Sequence, residues 1–215
     1  AWRRLASLWR TRAMTGDLQR DGVQLFHGLS NELPVGLDKA GIRSVVTIHD
    51  LIFLRYPQFY KPADRAIYTW KFHRACRYAD KIVVSECTKR DIVDFFGIDP
   101  SKIEVIYQGC DEMFAQEITE ADTIRVRQEY NLPLRYMITV GTLESRKNLR
   151  EAVEALLYLP ADMHLVAVGR ATPYTEEVMR YAAQQGLTSR IHLLHKVAYH
   201  DLPALYKRAE AMVYP

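Results

Sequence analysis

Arg146 and Lys147 stand between a short apolar run and a helix-like segment. The run, Tyr136-Met137-Ile138-Thr139-Val140-Gly141, reads as a buried strand ending at Gly141. The segment from Asn148 reads Asn-Leu-Arg-Glu, so Asn148 is expected to cap a helix and Glu151 to reach back to it. Two fixed positive charges then sit at the carboxyl end of a strand and at the positive end of a helix dipole. An α/β sheet receives phosphate or diphosphate at such a place. Arginine offers a fork matched to phosphate oxygens, and lysine a mobile point charge. The plainer alternative is a solvated charge pair at a helix entry. Gly169-Arg170 ends another apolar run, which makes Arg170 a secondary candidate on the diphosphate or base side. In the first half, His27-Gly28 and His49-Asp50 close two apolar runs. His49 fits either a histidine satisfied by backbone groups or one facing a substrate. Asp50 either orients His49 or caps a turn, and Ser85 is most simply an N-cap. Glu144 suits positioning of the cationic loop better than chemistry. His164, His195 and His200 have no spacing that favours a metal and read as surface or structural groups.

These residues need a scaffold, and strands alternate with helices along the whole chain. Strands are expected at 23–27, 45–49, 81–84 and 103–107, with helices at 63–79 and 88–96. A second run places helices at 123–130, 148–158, 173–185 and 201–208 and strands at 136–141, 164–168, 190–194 and 211–214. The alternation predicts parallel β-α-β units with both sheet faces covered. It divides the chain into residues 1–111 and 112–215, joined through residues 108–119. Residues 2–14 place Trp2, Leu5, Leu8, Trp9 and Ala13 at helical spacing among Arg3, Arg4, Arg10 and Arg12. That pattern fits an outer helix packed on a sheet, and also a helix lying on a membrane surface.

The 215 residues are 48% apolar, enough for one large core or two small ones. A net charge of +3 is too mild to argue for nucleic acid as a partner. Cys76, Cys87 and Cys110 form no C-x-x-C pair, which suggests a reduced, cytoplasmic setting and no metal. No apolar run approaches the ~20 residues of a membrane span. The basic, Trp-rich start lacks the unbroken apolar stretch of a signal peptide.

Several ordered segments resemble the retaining, nucleotide-sugar-dependent glycosyltransferases of group 1, also called family 4. They are Phe26-His27-Gly28-Leu29-Ser30-Asn31-Glu32-Leu33-Pro34, Thr47-Ile48-His49-Asp50-Leu51, Val83-Val84-Ser85-Glu86-Cys87-Thr88-Lys89-Arg90-Asp91 and Val105-Ile106-Tyr107-Gln108-Gly109-Cys110-Asp111. Val140-Gly141-Thr142-Leu143-Glu144-Ser145-Arg146-Lys147-Asn148, Val168-Gly169-Arg170 and Ala209-Glu210-Ala211-Met212-Val213-Tyr214-Pro215 complete the series. The resemblance implies two Rossmann-like parallel-sheet domains in the GT-B arrangement, both apparently truncated. It implies a nucleotide diphosphate sugar as donor, no cofactor and no divalent metal. Gly141, Thr142, Arg146, Lys147, Gly169 and Arg170 would border the donor diphosphate. His49 would face the transferred sugar, and His27, Gly28, Ser30, Asn31, Asp50 and Ser85 would lie on the acceptor side. The acceptor would be a glycan or a lipid-linked sugar, the second with the enzyme peripheral at the inner membrane face. The segment from His27 to Pro34 is similar to that of bacterial mannosyltransferases, which suggests mannose.

The chain departs from the pattern at Gln108, where the family usually has Asn. The family's glycine-rich first loop and its Glu-x7-Glu segment are not among these 215 residues, so the expectation is weak nucleotide binding without useful transfer. Two other classes compete. A nicotinamide-dependent oxidoreductase would need a G-x-G-x-x-G turn, which does not occur. A non-catalytic fragment would keep the fold alone.

Overall fold

The computed structural model describes Ala6 and residues 9–215. Trp2, Arg3, Arg4, Leu5 and Leu8 of the expected amino-terminal helix lie outside the described residues. The chain divides into two compact units, Ala1–Gly109 and Cys110–Pro215.

In the first unit a π-helical turn, Trp9–Ala13, leads into α1 (Met14–Arg20). This segment is tied down locally. Trp9 Nε1 donates to Asp17 at 2.9 Å, and Thr15 Oγ1 donates to the Val35 carbonyl at 2.8 Å. Then follow β1 (Leu25–Gly28), β2 (Arg43–Thr47), α2 (Ile52–Arg55), α3 (Pro62–Tyr78), β3 (Lys81–Val84), α4 (Glu86–Phe96) and β4 (Ile103–Val105). The four strands are parallel in the order β1-β2-β3-β4. Val46, Ile48, Ile82 and Ile92 are fully buried between sheet and helices. The short α2, unforeseen from sequence, is held by Phe53, whose ring meets Tyr60, Tyr68 and Phe72 edge-on at 6.3, 5.7 and 5.1 Å. Ser85 caps α4 as expected, its Oγ accepting from Thr88 N at 3.3 Å.

The second unit contains α5 (Glu120–Glu129), β5 (Arg135–Val140), α6 (Leu149–Ala155), β6 (Met163–Val168), α7 (Pro173–Gln184), β7 (Ile191–Leu194), α8 (Leu202–Arg208) and β8 (Ala211–Met212). Its strands are parallel in the order β7-β6-β5-β8. β5 and β6 are nearly continuous apolar runs because both faces are covered. Met137, Leu165 and Ala167 pack with Val153 and Val178 on one face, and Tyr136, Ile138 and Val166 pack with Val126 and Leu205 on the other. The chain steps outward from β5 to β6 and β7, then returns to the far side of β5 for β8. The strand order therefore reverses between β5 and β8.

Asp201 pins α5 to α8. It is 1% exposed and accepts from Arg125 Nη2 at 2.5 Å and from Tyr130 Oη at 2.7 Å. Burial by itself would raise its pKa, but the hydrogen bonds and the Arg125 charge prevail and hold it below the ordinary carboxyl value. A carboxylate depressed in this way stabilises the fold above its unfolded pKa, about 3.9, and loses that contribution as pH falls through the folded value. Asp201→Ala should therefore lose roughly 1.5–3 kcal/mol at neutral pH, with Arg125 half exposed and able to rehydrate. Urea denaturation at neutral and at strongly acid pH checks this. The deficit must shrink in acid, and a deficit independent of pH would show that only packing was lost.

Candidate active site

In the first unit, site residues gather where β1, β2 and β3 end. β2 stops at Thr47, two residues before the expected end. The Ile48 N–H still reaches the Val83 carbonyl at 3.1 Å, but the His49 N–H leaves the ladder for Asn31 Oδ1 at 2.8 Å. Asn31 can turn in this way because its backbone is left-handed, φ 63°, and its own N–H donates to the Thr47 carbonyl at 3.1 Å. The His49 ring is fixed as well, with Nε2 2.8 Å from the Leu29 carbonyl. A carbonyl only accepts, so Nε2 carries the proton and Nδ1 is the remaining polar ring atom. The His49 carbonyl accepts from Thr88 Oγ1 at 3.0 Å, and Thr88 also meets Ser85 Oγ at 3.1 Å. His49, Asn31 and Ser85 are thus one connected group. Thr47, His49, Ser85 and Gln108 line a cavity of about 150 Å³.

Of the other acceptor-side candidates, His27 reaches that group through Thr47, whereas Gly28, Ser30 and Asp50 have other surroundings. His27 Nε2 is 2.8 Å from Thr47 Oγ1, and His27, Gly28 and Ser30 line a neighbouring cavity of about 240 Å³. Asp50 does not touch His49; its Oδ1 accepts from Ile52 N at 3.2 Å and opens α2. The turn-capping alternative is the one realised.

In the second unit the loop after β5 is clamped to the loop after β6. Gly141 N donates to the Val168 carbonyl at 2.8 Å and Leu143 N to the Arg170 carbonyl at 3.0 Å. Gly141 and Gly169 have φ of 138° and 154°. A Cβ on Gly169 would stand 1.9 Å from the Gly141 carbonyl oxygen, and one on Gly141 would stand 2.2 Å from Lys147 Nζ. The approach of the two backbones requires glycine at 169, and the φ of 138° favours glycine at 141, where the Lys147 ammonium is the movable end of a side chain. Lys147 Nζ therefore lies over the carboxyl end of β5, 5.5 Å from the centre of the Tyr214 ring, which follows β8. Arg146 Nη2 donates to Glu144 Oε1 at 2.7 Å, so Glu144 positions the cationic loop. Thr142 lies half-buried in the same loop, and Arg170 is exposed beyond it.

The helix entry differs from the expectation. Arg146 and Lys147 sit in a 3-10 turn, Ser145–Lys147, and Asn148 takes a left-handed conformation, φ 47°, without a side-chain cap. The turn already directs the backbone into α6, and the Tyr174 hydroxyl accepts from the first-turn N–H of Arg150 at 3.2 Å. His195, read from sequence as a surface or structural group, is part of this region. Its Nδ1 is 2.9 Å from the Gly169 carbonyl, so Nδ1 donates and Nε2 stays available. With Thr172, Glu176 and Met179 it lines a cavity of about 470 Å³. No sequence signal joins residue 195 to Gly169; only the pairing of β6 with β7 does.

The fold and the ordered strand-end loops can be compared with known proteins. The profile of Glycosyltransferase Family 4 matches residues 1–113, and that of Glycosyl transferases group 1 matches residues 120–215. The chain belongs to this glycosyltransferase family. The family chain is 28% identical over 198 residues to O-antigen chain mannosyltransferase B of Escherichia coli, covering 89% of this chain and 50% of that one. It is 25% identical over 172 residues to O-antigen chain mannosyltransferase RfbU of Salmonella typhimurium, covering 79% and 44%. Among solved structures, Anabaena HepE in complex with UDP and glucose matches with a TM-score of 0.73 at 17% identity, over 94% of this chain and 56% of that one. WaaG, a glycosyltransferase involved in lipopolysaccharide biosynthesis, matches with a TM-score of 0.68 at 16% identity, over 94% and 56%. These structural likenesses establish two parallel-sheet α/β domains of GT-B type. The chain spans about half the length of these relatives. Among the described residues, no helix is long and apolar enough to cross a membrane, and no group of three or more His, Cys, Asp or Glu side chains is placed to hold a metal ion.

Proposed function

We propose that this chain carries donor-side and acceptor-side elements of a retaining hexosyltransferase. The donor is a nucleotide diphosphate sugar, and the acceptor a glycan or lipid-linked sugar. One observation carries the reading: Gly141, Arg146 and Lys147 stand at the carboxyl end of β5, where the strand order reverses towards β8. Open α/β sheets bind ligands at that position. Arg146 and Lys147 hold the diphosphate, with Gly141, Thr142, Gly169 and Arg170 around it. Mannose is the hexose we favour, from the names of the relatives and the segment from His27 to Pro34. The reaction runs on the cytoplasmic side, peripheral to the inner membrane face when the acceptor is lipid-linked.

In the reaction the bond between sugar C1 and the diphosphate oxygen breaks, leaving C1 oxocarbenium-like. The acceptor oxygen bonds to C1 on the same face, and its proton passes to the departing phosphate oxygen. Arg146 and Lys147 neutralise the charge that builds on the leaving group, which is the role a divalent metal would otherwise fill. The full-length protein should therefore transfer hexose in excess EDTA and keep the anomeric configuration of the donor. A strict requirement for magnesium or manganese, or an inverted product, overturns this reading.

His49 orients the sugar through Nδ1. His49→Ala should lower kcat about 10- to 100-fold while nucleoside diphosphate affinity stays unchanged. A parallel loss of nucleotide binding and thermal stability would instead identify a structural histidine.

A further inference from the structure

We propose that the acceptor glycan extends from the cavity beside His27 and Gly28 into a second subsite along α3, built on Trp70 and Tyr78. The proposal rests on the acceptor-side reading above. The first cavity, about 240 Å³, reaches α3 through Trp70, Lys71 and Arg74. A second cavity of about 370 Å³ is lined by Asp38, Lys39, Trp70, Arg74, Arg77 and Tyr78. Trp70 and Arg74 belong to both, so the two form one groove leading from the end of β1 towards the carboxyl end of α3.

Residues 70, 74 and 78 share one side of the helix. Trp70 and Tyr78 are 55% and 52% exposed, so both rings present surface on that side of the helix. Arg74 fixes their spacing. Its guanidinium lies 6.0 Å from the Trp70 ring centre and 5.7 Å from that of Tyr78. Its Nη1 and Nη2 donate to the Leu33 and Pro34 carbonyls at 3.0 and 3.2 Å. Arg74 is therefore a strut, and an incoming molecule meets the rings. A pyranose offers C–H faces to aromatic rings and hydroxyls to a polar rim. The rim here has both signs, with Lys39 and Arg77 as donors and Asp38 as acceptor. A neutral polyol uses both kinds of group. An anionic bilayer surface is the competing occupant, because five Lys and Arg side chains line the two cavities against Asp38 and Glu32. Glu32 is itself paired with Lys71 at 2.6 Å. The rings along α3 favour the glycan.

The test is calorimetry on the full-length protein with mannobiose, mannotetraose and mannohexaose, with a nucleoside diphosphate titrated in parallel. In the wild type the longer chains should bind about tenfold tighter than mannobiose. Tyr78→Ala and Lys39→Ala should each reduce that gain and leave mannobiose unchanged, whereas Tyr78→Phe should keep it. Equal affinity for all lengths in the wild type, or a full gain in Tyr78→Ala, overturns the subsite; if nucleoside diphosphate and mannobiose still bind, the proposed function stands. Loss of nucleoside diphosphate binding as well overturns both. Binding to anionic phospholipid vesicles without oligosaccharide binding replaces the glycan with a membrane and also overturns the proposal.

Discussion

Lys147→Ala and Arg146→Ala should each weaken nucleoside diphosphate binding to the full-length protein by roughly 1.5–3 kcal/mol, or about 10- to 150-fold in affinity. The two losses differ in origin. Lys147 has its ammonium folded onto Gly141 and near the Tyr214 ring, so its removal takes away a charge already placed at the end of β5. Arg146 is paired with Glu144, so its removal also leaves an uncompensated carboxylate beside the site. Turnover should fall further than affinity, because negative charge on the leaving diphosphate peaks in the transition state. Added salt should narrow the gap between wild type and variants. Unchanged calorimetric affinity in both variants would rule out the diphosphate assignment.

Gly169→Ala should be the most damaging single methyl in the second unit. Its Cβ would stand 1.9 Å from the Gly141 carbonyl oxygen, a backbone atom that cannot swing aside, at a φ of 154°. Strain and overpacking together should amount to about 2–5 kcal/mol. For a unit of this size that lowers Tm by roughly 10 °C or more. Diphosphate binding should be lost even where the variant remains folded, because Gly141 must move to make room. Gly109→Ala meets no atom within 4 Å and serves as the control. Equal melting curves for the two variants would mean that the loops after β5 and β6 are not locked together.

Strands with unbroken apolar content were legible in the sequence. Lys81–Val84 begins and ends as expected, and β5, β6 and β7 fall within one residue of it. The loops were legible by residue type but not by geometry. Asn148 has the side chain of a cap, yet its backbone enters the left-handed region and the cap is not made. The early end of β2 depends on Asn31, far from it in the chain, taking the His49 N–H. The groove on α3 left no periodic signal because the apolar residues of that helix surround its whole circumference. Only the folded chain sets the Leu33 and Pro34 carbonyls against Arg74 and so spaces the two rings.

The position of β8 has a consequence during synthesis. β5 lies inside the finished sheet, but its partner on one side arrives about seventy residues later in the chain. On a ribosome adding roughly 5–20 residues per second, the flank of β5 stays unpaired for several seconds. Met137 and Ile138 there expose backbone donors and acceptors that other nascent chains could pair with. β8 thus closes that flank of β5, and a translation product interrupted before Ala211 should aggregate more readily than one that includes β8.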